Sequence, residues 1–196
     1  MEENGYHHED LREELINAGI RLLDTDGYES FSLRNVAKAC GVSHTAPYRH
    51  FKNKDDLISA IAAEINGKFN DCLTEAVAAH PGNTTEQISE MGCAYVNFFL
   101  KNPEYLRLMF LSDLDKKVNL PPEGNGSQPK NIFLETVNRF AAEKKKEKPS
   151  EQPDSDALAL KLWGLVHGIT VLLVHGDFQY DGDITELIRK IIRVKK

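Results

Sequence analysis

The chain has 196 residues, 41% of them hydrophobic, which is enough apolar material for one globular core or two small ones. Its net charge of −6 argues against a uniformly basic surface that would bind nucleic acid over its whole extent. Three widely spaced cysteines predict neither a disulfide framework nor a zinc knuckle, and the acidic N-terminus lacks an apolar signal sequence, so we expect a cytoplasmic protein.

The first predicted helix runs from about Glu9 to Asp26, and Gly27 ends it as a C-terminal cap. Apolar and small residues recur on one face at helical spacing, namely Leu11, Leu15, Ala18, Gly19 and Leu22. The pattern indicates that this face packs inward.

The stretch from Ser32 to Phe51 predicts two short helices joined at Gly41. Ser32 is a suitable N-cap for the first, and small Ala37 allows the helices to cross closely. The second helix, from about Ser43 to Phe51, carries side chains that suit phosphates and base edges: His44, Thr45, Tyr48, Arg49 and His50. This pattern is typical of a helix-turn-helix, although the same spacing also occurs in ordinary helical hairpins.

Positive charge is concentrated at the same place. From Glu29 to Lys54 the chain carries five cationic side chains and one carboxylate, so this stretch has a charge of +4 while the remainder carries −10. A small cationic head on an acidic body would confine contact with DNA to the head.

The segment from Phe31 to Leu57, which contains GVSHTAPYRHFKNKDDL, closely resembles the DNA-binding domain of TetR-type transcriptional regulators. The resemblance covers residues about 9 to 65 and implies a three-helix domain, residues 1–53, that binds a double-stranded DNA operator. It assigns phosphate contacts to the positions of Tyr48, Phe51 and Lys54. The predicted DNA-binding residues are Ser32, Arg34, His44, Thr45, Ala46, Tyr48, Arg49, His50 and Lys54.

The sequence departs from this family at Pro47, where an aliphatic residue is usual. Proline lacks a backbone donor and is tolerated only in a first helical turn, so it predicts a recognition helix that starts near His44 or Thr45.

Four elements follow between residues 53 and 130. Asn53 caps a long helix that reaches about Ala79, and a further helix runs from about Thr84 to Lys101. Asn102 and Pro103 predict the start of a short helix that ends near Leu111. The proline- and glycine-rich stretch from Ser112 to Lys130 predicts a long loop that could admit a ligand.

Three helices complete the predicted chain, from about Asn131 to Lys146, Asp156 to Gly176 and Asp183 to Val194. The lysine run that ends the first of these suits a solvated helix C-terminus better than a second DNA patch. In the second, the run from Leu158 to Val174 is almost continuously apolar, but this run is shorter than the ~20 residues that a membrane span requires and contains Lys161 and His167.

Within this apolar helix, Trp163, His167 and Gly168 resemble the W…HG signature of a subgroup of TetR-type C-terminal domains. The final helix has a narrow apolar stripe on a charged surface, which requires a partner. The resemblance implies that these two helices pair with their symmetry mates in a homodimer. The predicted interface consists of Gly164, Gly168, Val171, Ile184, Leu187, Ile188 and Ile191.

The resemblance and the composition together predict an all-α protein of about nine helices, with a ligand-binding and dimerisation domain at residues 54–196. Methionine and aromatic side chains with a few polar tips suit a small apolar or aromatic effector. The candidate residues are Met91, Tyr95, Phe98, Met109, Phe110, Trp163 and His167, although most could equally be core.

No catalytic motif or cofactor-binding motif occurs, and we expect no enzyme activity and no cofactor. His167 and His175 are two helical turns apart with Asp177 nearby, a spacing that favours core histidines over metal ligands. The expected function is a ligand-responsive transcriptional regulator, a repressor by analogy. The alternative is a helical ligand-binding or protein-interaction module that does not bind an operator.

Overall fold

The computed structural model describes residues 11–112, 129–148 and 154–192. These residues form eight α-helices, one 3₁₀ turn and one π turn and contain no strand, which confirms the predicted all-α fold class. In chain order the elements are α1 (Leu11–Ser30), α2 (Leu33–Ala39), a 3₁₀ turn (Ala46–Arg49), α3 (Lys54–Ala78), α4 (Thr84–Lys101), α5 (Pro103–Leu106), a π turn (Arg107–Leu111), α6 (Pro129–Glu147), α7 (Ser155–His175) and α8 (Ile184–Ile192). Most of the loop predicted at 112–130 lies outside the described residues.

Side-chain caps fix where the helices begin, because they satisfy backbone N–H groups that have no partner within the helix. Ser32 accepts from the Asn35 N–H at 3.2 Å, as predicted for α2, and Asn53 accepts from the Asp56 N–H at 2.9 Å. Asn102 differs from its prediction, because its amide donates to the Phe98 carbonyl at 2.8 Å and closes α4 rather than opening α5. Asn83, Asp154 and Asp183 cap α4, α7 and α8 in the same manner.

The chain packs as two compact units. One consists of the described residues 11–65 and 104–112, and the other of 66–103, 129–148 and 154–192. Helix α3 begins in the first unit and ends in the second, and the chain returns to the first unit at α5. The domain boundary predicted between residues 53 and 54, which places all of α3 in the second domain, stays a prediction.

The first unit is built around the crossing of α1 and α3. Gly19 on α1 is required there, because a Cβ at this position would lie 2.8 Å from Cδ1 of Ile61 on α3. Gly27 breaks α1 near its end with φ 72°, which confirms the predicted break, although helical residues continue to Ser30. The buried side chains of this core are Leu15, Ile16, Phe31, Val36, Ala37, Phe51, Leu57, Ile58 and Ile61.

The π turn also belongs to the first unit. Arg107 Nε and Nη2 donate to the two carboxylate oxygens of Asp24 on α1, each at 2.7 Å. This bidentate geometry joins α1 to the segment that follows α4 in the chain.

The second unit is organised around α4, which packs against α6, α7 and α8. The rings of Phe69, Tyr95, Phe98 and Phe99 lie with centroids 5.0–5.3 Å apart, in tilted and edge-to-face arrangements that favour aromatic packing. Two polar anchors hold α8 on α4: Arg189 donates to both carboxylate oxygens of Glu90, and Asn97 donates to the Thr185 hydroxyl at 3.1 Å.

Helix α7 is long and apolar enough to cross a membrane by length and composition alone. Core helices of globular proteins share these properties, so the observation is weak evidence for a membrane span. One face of α7 is buried within the second unit through Ala159, Leu162, Val166 and Thr170. This burial is what a core helix requires.

Candidate nucleic-acid interface and apolar cavity

The predicted recognition helix is shorter than expected. A helix from Ser43 to Phe51 was predicted, whereas the structure has one 3₁₀ turn over Ala46–Arg49. The cause is Pro47: an α-helix here would need the N–H of residue 47 to donate to the Ser43 carbonyl, and proline has no N–H. Instead the Ala46 N–H donates to the Ser43 carbonyl at 3.0 Å, which is the i to i−3 hydrogen bond of a 3₁₀ turn.

Gly41 positions this turn after α2. Its φ of 68° lies in the left-handed region, which glycine adopts without the strain that a Cβ introduces. The Val42 N–H donates to the Ala37 carbonyl at 3.0 Å, and the buried Ala37 lies where the predicted close crossing requires a small side chain. The sequence prediction of the hinge is confirmed.

Most of the predicted DNA-binding side chains are exposed in the first unit. Tyr48 is 59% exposed, the highest value among the large hydrophobic side chains of this unit. Ala46 is half-buried, and Pro47 is buried beneath the turn. The other exposed members of the predicted set are Arg34, His44, Thr45, Arg49 and His50.

Two predicted contacts already have intramolecular partners. Ser32 is half-buried and caps α2. The Lys54 ammonium lies 3.7 Å from the centroid of the Tyr28 ring and donates to the Tyr28 carbonyl at 3.3 Å. The Tyr28 hydroxyl in turn donates to Asp55 at 3.2 Å. Lys54 is therefore held at the start of α3, where a cation–π contact and a hydrogen bond fix its position.

Sequence reasoning missed two residues beside this turn. Lys52 is exposed next to buried Phe51, and its N–H donates to Asp56 at 2.9 Å. The Arg12 guanidinium lies 5.6 Å from the centroid of the Phe51 ring. Lys52 was visible as one cation of the charge cluster, but no local pattern links Arg12 to residue 51.

The second unit contains an apolar cavity between its helices. Helices α3 and α4 contribute Phe69, Leu73, Met91, Gly92 and Tyr95 to its lining. Helices α6, α7 and α8 contribute Phe133, Leu162, Trp163, Val166 and Ile192. Every lining residue is uncharged, and about 40 Å³ is open to the centre of a water-sized sphere, which is space for roughly three waters.

Three of the predicted ligand-binding residues line this cavity: Met91, Tyr95 and Trp163. Four do not. Phe98 packs against Phe69 and Phe99 in the aromatic cluster. His167 contacts the hydroxyl of Tyr95 and does not itself line the cavity. Met109 and Phe110 are on the π turn, belong to the first unit and do not line this cavity, and their assignment to an effector site stays a prediction.

Buried Tyr95 and half-buried His167 form a polar pair. The Tyr95 hydroxyl is 2.8 Å from Nδ1 of His167, and their rings meet edge to face. Burial raises the pKa of Tyr95 and lowers the pKa of His167, and both shifts favour the neutral form. The pair therefore adds hydrogen-bonding capacity, but no charge, to this wall of the second unit.

Trp163 is held in the cavity wall by Phe133, whose ring is 5.7 Å away at an interplanar angle of 87°. It is the single tryptophan of the chain. Its emission therefore reports directly on whatever enters the cavity.

One stripe of α7 is exposed. Leu160 is 76% exposed and Leu172 is 48% exposed, and Gly164 and Gly168 lie between them at four-residue spacing. A Cβ at either glycine would meet no atom within 4 Å. This stripe is flat enough for another helix to approach closely, although Val171 beside it is half-buried.

Helix α8 presents only part of its predicted interface. Ile191 is 41% exposed, and Ile184 and Leu187 are half-buried. Ile188 is fully buried within the second unit at 0% exposure, so its assignment to a dimer interface is corrected. The heptad-like stripe of isoleucines did not distinguish the side that faces α4 from the side that faces outward.

Within the described residues no group of three or more His, Cys, Asp or Glu side chains could hold a metal ion. The three cysteines are free thiols, and burial raises the pKa of each, to about 11 for Cys93. Thiols of this kind are protonated and weakly nucleophilic at neutral pH.

Comparison with known proteins agrees with this arrangement. The family model for bacterial regulatory proteins of the tetR family matches residues 15–61. The model for the tetracyclin repressor-like C-terminal domain matches residues 88–194, more than half of the chain. The first match covers the exposed turn, and the second covers α4 through α8.

Individual relatives cover the same regions. The nucleoid occlusion factor SlmA of Vibrio atlanticus is 30% identical over 86% of this chain and 86% of its own length. The nicotine-responsive transcriptional repressor HdnoR of Paenarthrobacter nicotinovorans is 46% identical over 29% of each chain. A solved structure of a protein of unknown function from Rhodococcus sp. RHA1 matches with a TM-score of 0.68 at 27% identity, covering 96% of this chain and 94% of its own. The chain belongs to the TetR family of bacterial transcriptional regulators.

Proposed function

We propose that the protein is a cytoplasmic, homodimeric repressor that binds a palindromic operator and is released from it by a small, neutral, apolar or aromatic effector. The observation that carries this proposal is the apolar cavity lined by Met91, Tyr95 and Trp163 in a chain that also has an exposed, cationic helix-turn-helix. A W…HG-type C-terminal domain and the division at residues 53 and 54 are part of the proposal.

The DNA-binding half of the proposal assigns two roles to the exposed turn. His44, Thr45 and Arg49 face the bases, since their polar groups suit the donors and acceptors of the major groove. Tyr48 and Lys54 contact phosphates and position the turn. The short 3₁₀ turn supports a compact DNA-binding surface that makes few base contacts.

The exposed face of α7 supports the homodimer. Leu160, Gly164, Gly168 and Leu172 form an apolar stripe on a protein whose remaining surface is rich in charge. A dimer would supply two heads, which must lie about 34–36 Å apart to contact successive major grooves on one side of DNA.

Effector release is proposed to act through α3. This single helix carries Lys54 at its first residue and Phe69 and Leu73, which line the cavity, in its second half. A ligand that fits better when the second half of α3 is displaced would change the position of its first turn as well. The coupling can be no larger than the difference in ligand affinity between the two arrangements, about 1–3 kcal/mol in typical cases.

The effector half can be tested with the protein's own fluorescence. Neutral aromatic and aliphatic compounds are titrated into the full chain while Trp163 emission is recorded, and operator affinity is measured by anisotropy with and without each compound. We expect compounds that change Trp163 emission to weaken operator binding about 5- to 150-fold.

A matched pair of variants localises the effect. Phe133→Ala removes the ring that packs against Trp163 in the cavity wall, whereas Phe178→Ala removes an aromatic side chain that is exposed outside it. Only the first should change effector affinity. Compounds that bind tightly at Trp163 but leave operator affinity unchanged would contradict the regulatory mechanism.

The alternative is a helical ligand-binding or protein-interaction module that does not bind an operator. Gel shifts against the promoters of its own and neighbouring genes distinguish the two functions, because the alternative predicts no sequence-specific complex.

A further inference from the structure

The side chain of Ile192 occupies a notch in α4 that exists only because residue 92 is glycine. A Cβ added at Gly92 would lie 2.0 Å from Cδ1 of Ile192 and 3.4 Å from its Cγ1. Ile192 is 3% exposed, and both residues line the cavity. The tip of one isoleucine therefore fills space that would otherwise be continuous with the cavity.

The size of the cavity shows that this tip matters. About 40 Å³ is open to the centre of a water-sized sphere, whereas an engineered apolar cavity that binds benzene measures about 150 Å³. Even a single aromatic ring therefore cannot enter unless a lining side chain moves.

Most of the wall is held in place by its own contacts. Phe69 is packed among three aromatic rings, Tyr95 is hydrogen-bonded to His167, and Trp163 packs on Phe133. Ile192 differs, because it is an aliphatic side chain that lies beyond the two polar contacts that hold α8 on α4.

The polar anchors of α8 lie earlier in the helix. Thr185 receives a hydrogen bond from Asn97 in the first turn, and Arg189 pairs with Glu90 in the middle. The last turn can therefore shift while these anchors remain in place.

We propose that Ile192 is the movable wall of the cavity and the residue that limits effector size, with ligands larger than a few waters entering by displacing its side chain from the notch over Gly92. This inference rests on the proposed effector site and names the residues that select among its ligands. It identifies the ligands as neutral apolar molecules graded by size rather than by charge.

The test uses alkylbenzenes of increasing chain length to measure which ligand sizes the cavity accepts. Binding of benzene, ethylbenzene and n-butylbenzene to the full chain is measured by calorimetry and by Trp163 emission, excited where the probes do not absorb. Ile192→Ala deletes the side chain beyond Cβ at the wall. Ile188→Ala makes the same deletion at a fully buried position of α8 that does not line the cavity, and so controls for lost stability.

In Ile192→Ala we expect every probe to bind more tightly than in the parent. The gain should grow with chain length, by about fourfold for each methylene that enters the freed space. Ile188→Ala should keep the size preference of the parent. Equal size preferences in the two variants, or no binding of any probe to Ile192→Ala, would overturn the proposal.

A second pair of variants tests the notch itself. Gly92→Ala places a methyl group against Cδ1 of Ile192, so it should lower the thermal midpoint. Adding Ile192→Val removes Cδ1 and leaves the 3.4 Å contact, so the double variant should recover the midpoint. No recovery would show that the notch does not seat Ile192.

Operator affinity is measured in the same samples to separate this inference from the proposed function. Size-graded binding without any change in operator affinity would uphold Ile192 as the wall and contradict the repressor mechanism. Operator release that is the same in the parent, Ile192→Ala and Ile188→Ala would uphold the mechanism and contradict the role of Ile192.

Discussion

Arg107 and Asp24 are joined by two parallel hydrogen bonds of 2.7 Å, which connect the π turn to α1 within the unit that carries the DNA-binding turn. Nε and Nη2 of the guanidinium match the two carboxylate oxygens, a geometry that lysine cannot reproduce. The hydrogen bond to Asp24 raises the pKa of Arg107, so the guanidinium keeps its charge.

The first prediction is that Arg107→Lys weakens the link between the π turn and α1. The two side chains are 43% and 18% exposed, so solvent screens the pair and the free energy of unfolding should fall by no more than about 1 kcal/mol. Arg189→Lys is the matched control, because Arg189 forms the same bidentate pair with Glu90 in the other unit.

Denaturant unfolding and operator anisotropy distinguish the two variants. Both should lose similar stability, but only Arg107→Lys should change operator affinity or its response to effector. If Arg189→Lys alters operator binding equally, the effect is one of general stability rather than of the π turn.

The second prediction concerns the exposed turn. Arg49→Ala should relax the preference for operator over random DNA, with a loss of about 1–3 kcal/mol if Arg49 makes a good base contact. Lys54→Ala should weaken binding to both DNAs alike and lower the salt slope by about one. Titrations of operator and scrambled DNA at several salt concentrations measure both quantities. If Arg49→Ala and Lys54→Ala lose the same affinity for both DNAs, Arg49 is not the residue that contacts a base.

Much of this architecture could be predicted from local patterns, and the exceptions have physical causes. Ser32, Asn53 and Gly41 specify helix ends and a hinge through backbone hydrogen bonds and φ, which depend on neighbouring residues only. Pro47 is visible in the sequence as a departure from the family, but the size of its effect is not. One missing N–H leaves a single 3₁₀ turn where a longer helix was predicted.

Contacts between distant residues were not predictable. Gly92 and Ile192 lie on different helices far apart in the sequence, and no periodicity in either helix indicates that they meet. The isoleucine stripe correctly predicted that α8 is amphipathic. It did not show that Ile188 is buried within the second unit rather than on the outward face. Met109 and Phe110 were assigned to the effector site by residue type, which does not identify the unit of the fold to which they belong.

The third prediction is that Leu172→Glu on the exposed stripe of α7 prevents dimerisation and operator binding. Two carboxylates at a closely packed helix pair would be desolvated and would repel each other, which the apolar contact cannot offset. Sedimentation should show a monomer. Asn138→Glu places the same charge at an exposed position of α6 and should leave the assembly of the parent intact.

Ile191→Glu tests the contribution of α8, because Ile191 is the exposed isoleucine of its last turns. We expect the same loss of dimer as for Leu172→Glu. A monomeric variant that still binds the full operator with parental affinity would refute the need for a dimer.

The fourth prediction concerns pH. Burial lowers the pKa of His167, whose Nδ1 is hydrogen-bonded to the Tyr95 hydroxyl at 2.8 Å, so folding favours the neutral imidazole. In the unfolded chain the histidine titrates near its ordinary value of about 6.5. Below that pH the unfolded state binds a proton that the folded state does not, so unfolding becomes more favourable.

The stabilising contribution is therefore fully present above about pH 6.5 and is lost as the pH falls through the folded value. Because the chain has seven histidines, the informative quantity is the difference in unfolding free energy between parent and His167→Gln, measured from pH 7.5 to 5. Glutamine can still bond to the Tyr95 hydroxyl but cannot titrate, so the variant should lose less stability than the parent on acidification. His175→Gln, on the exposed end of the same helix, is the matched control. If the parent and His167→Gln show parallel curves over this range, His167 is not the group whose protonation destabilises the second unit.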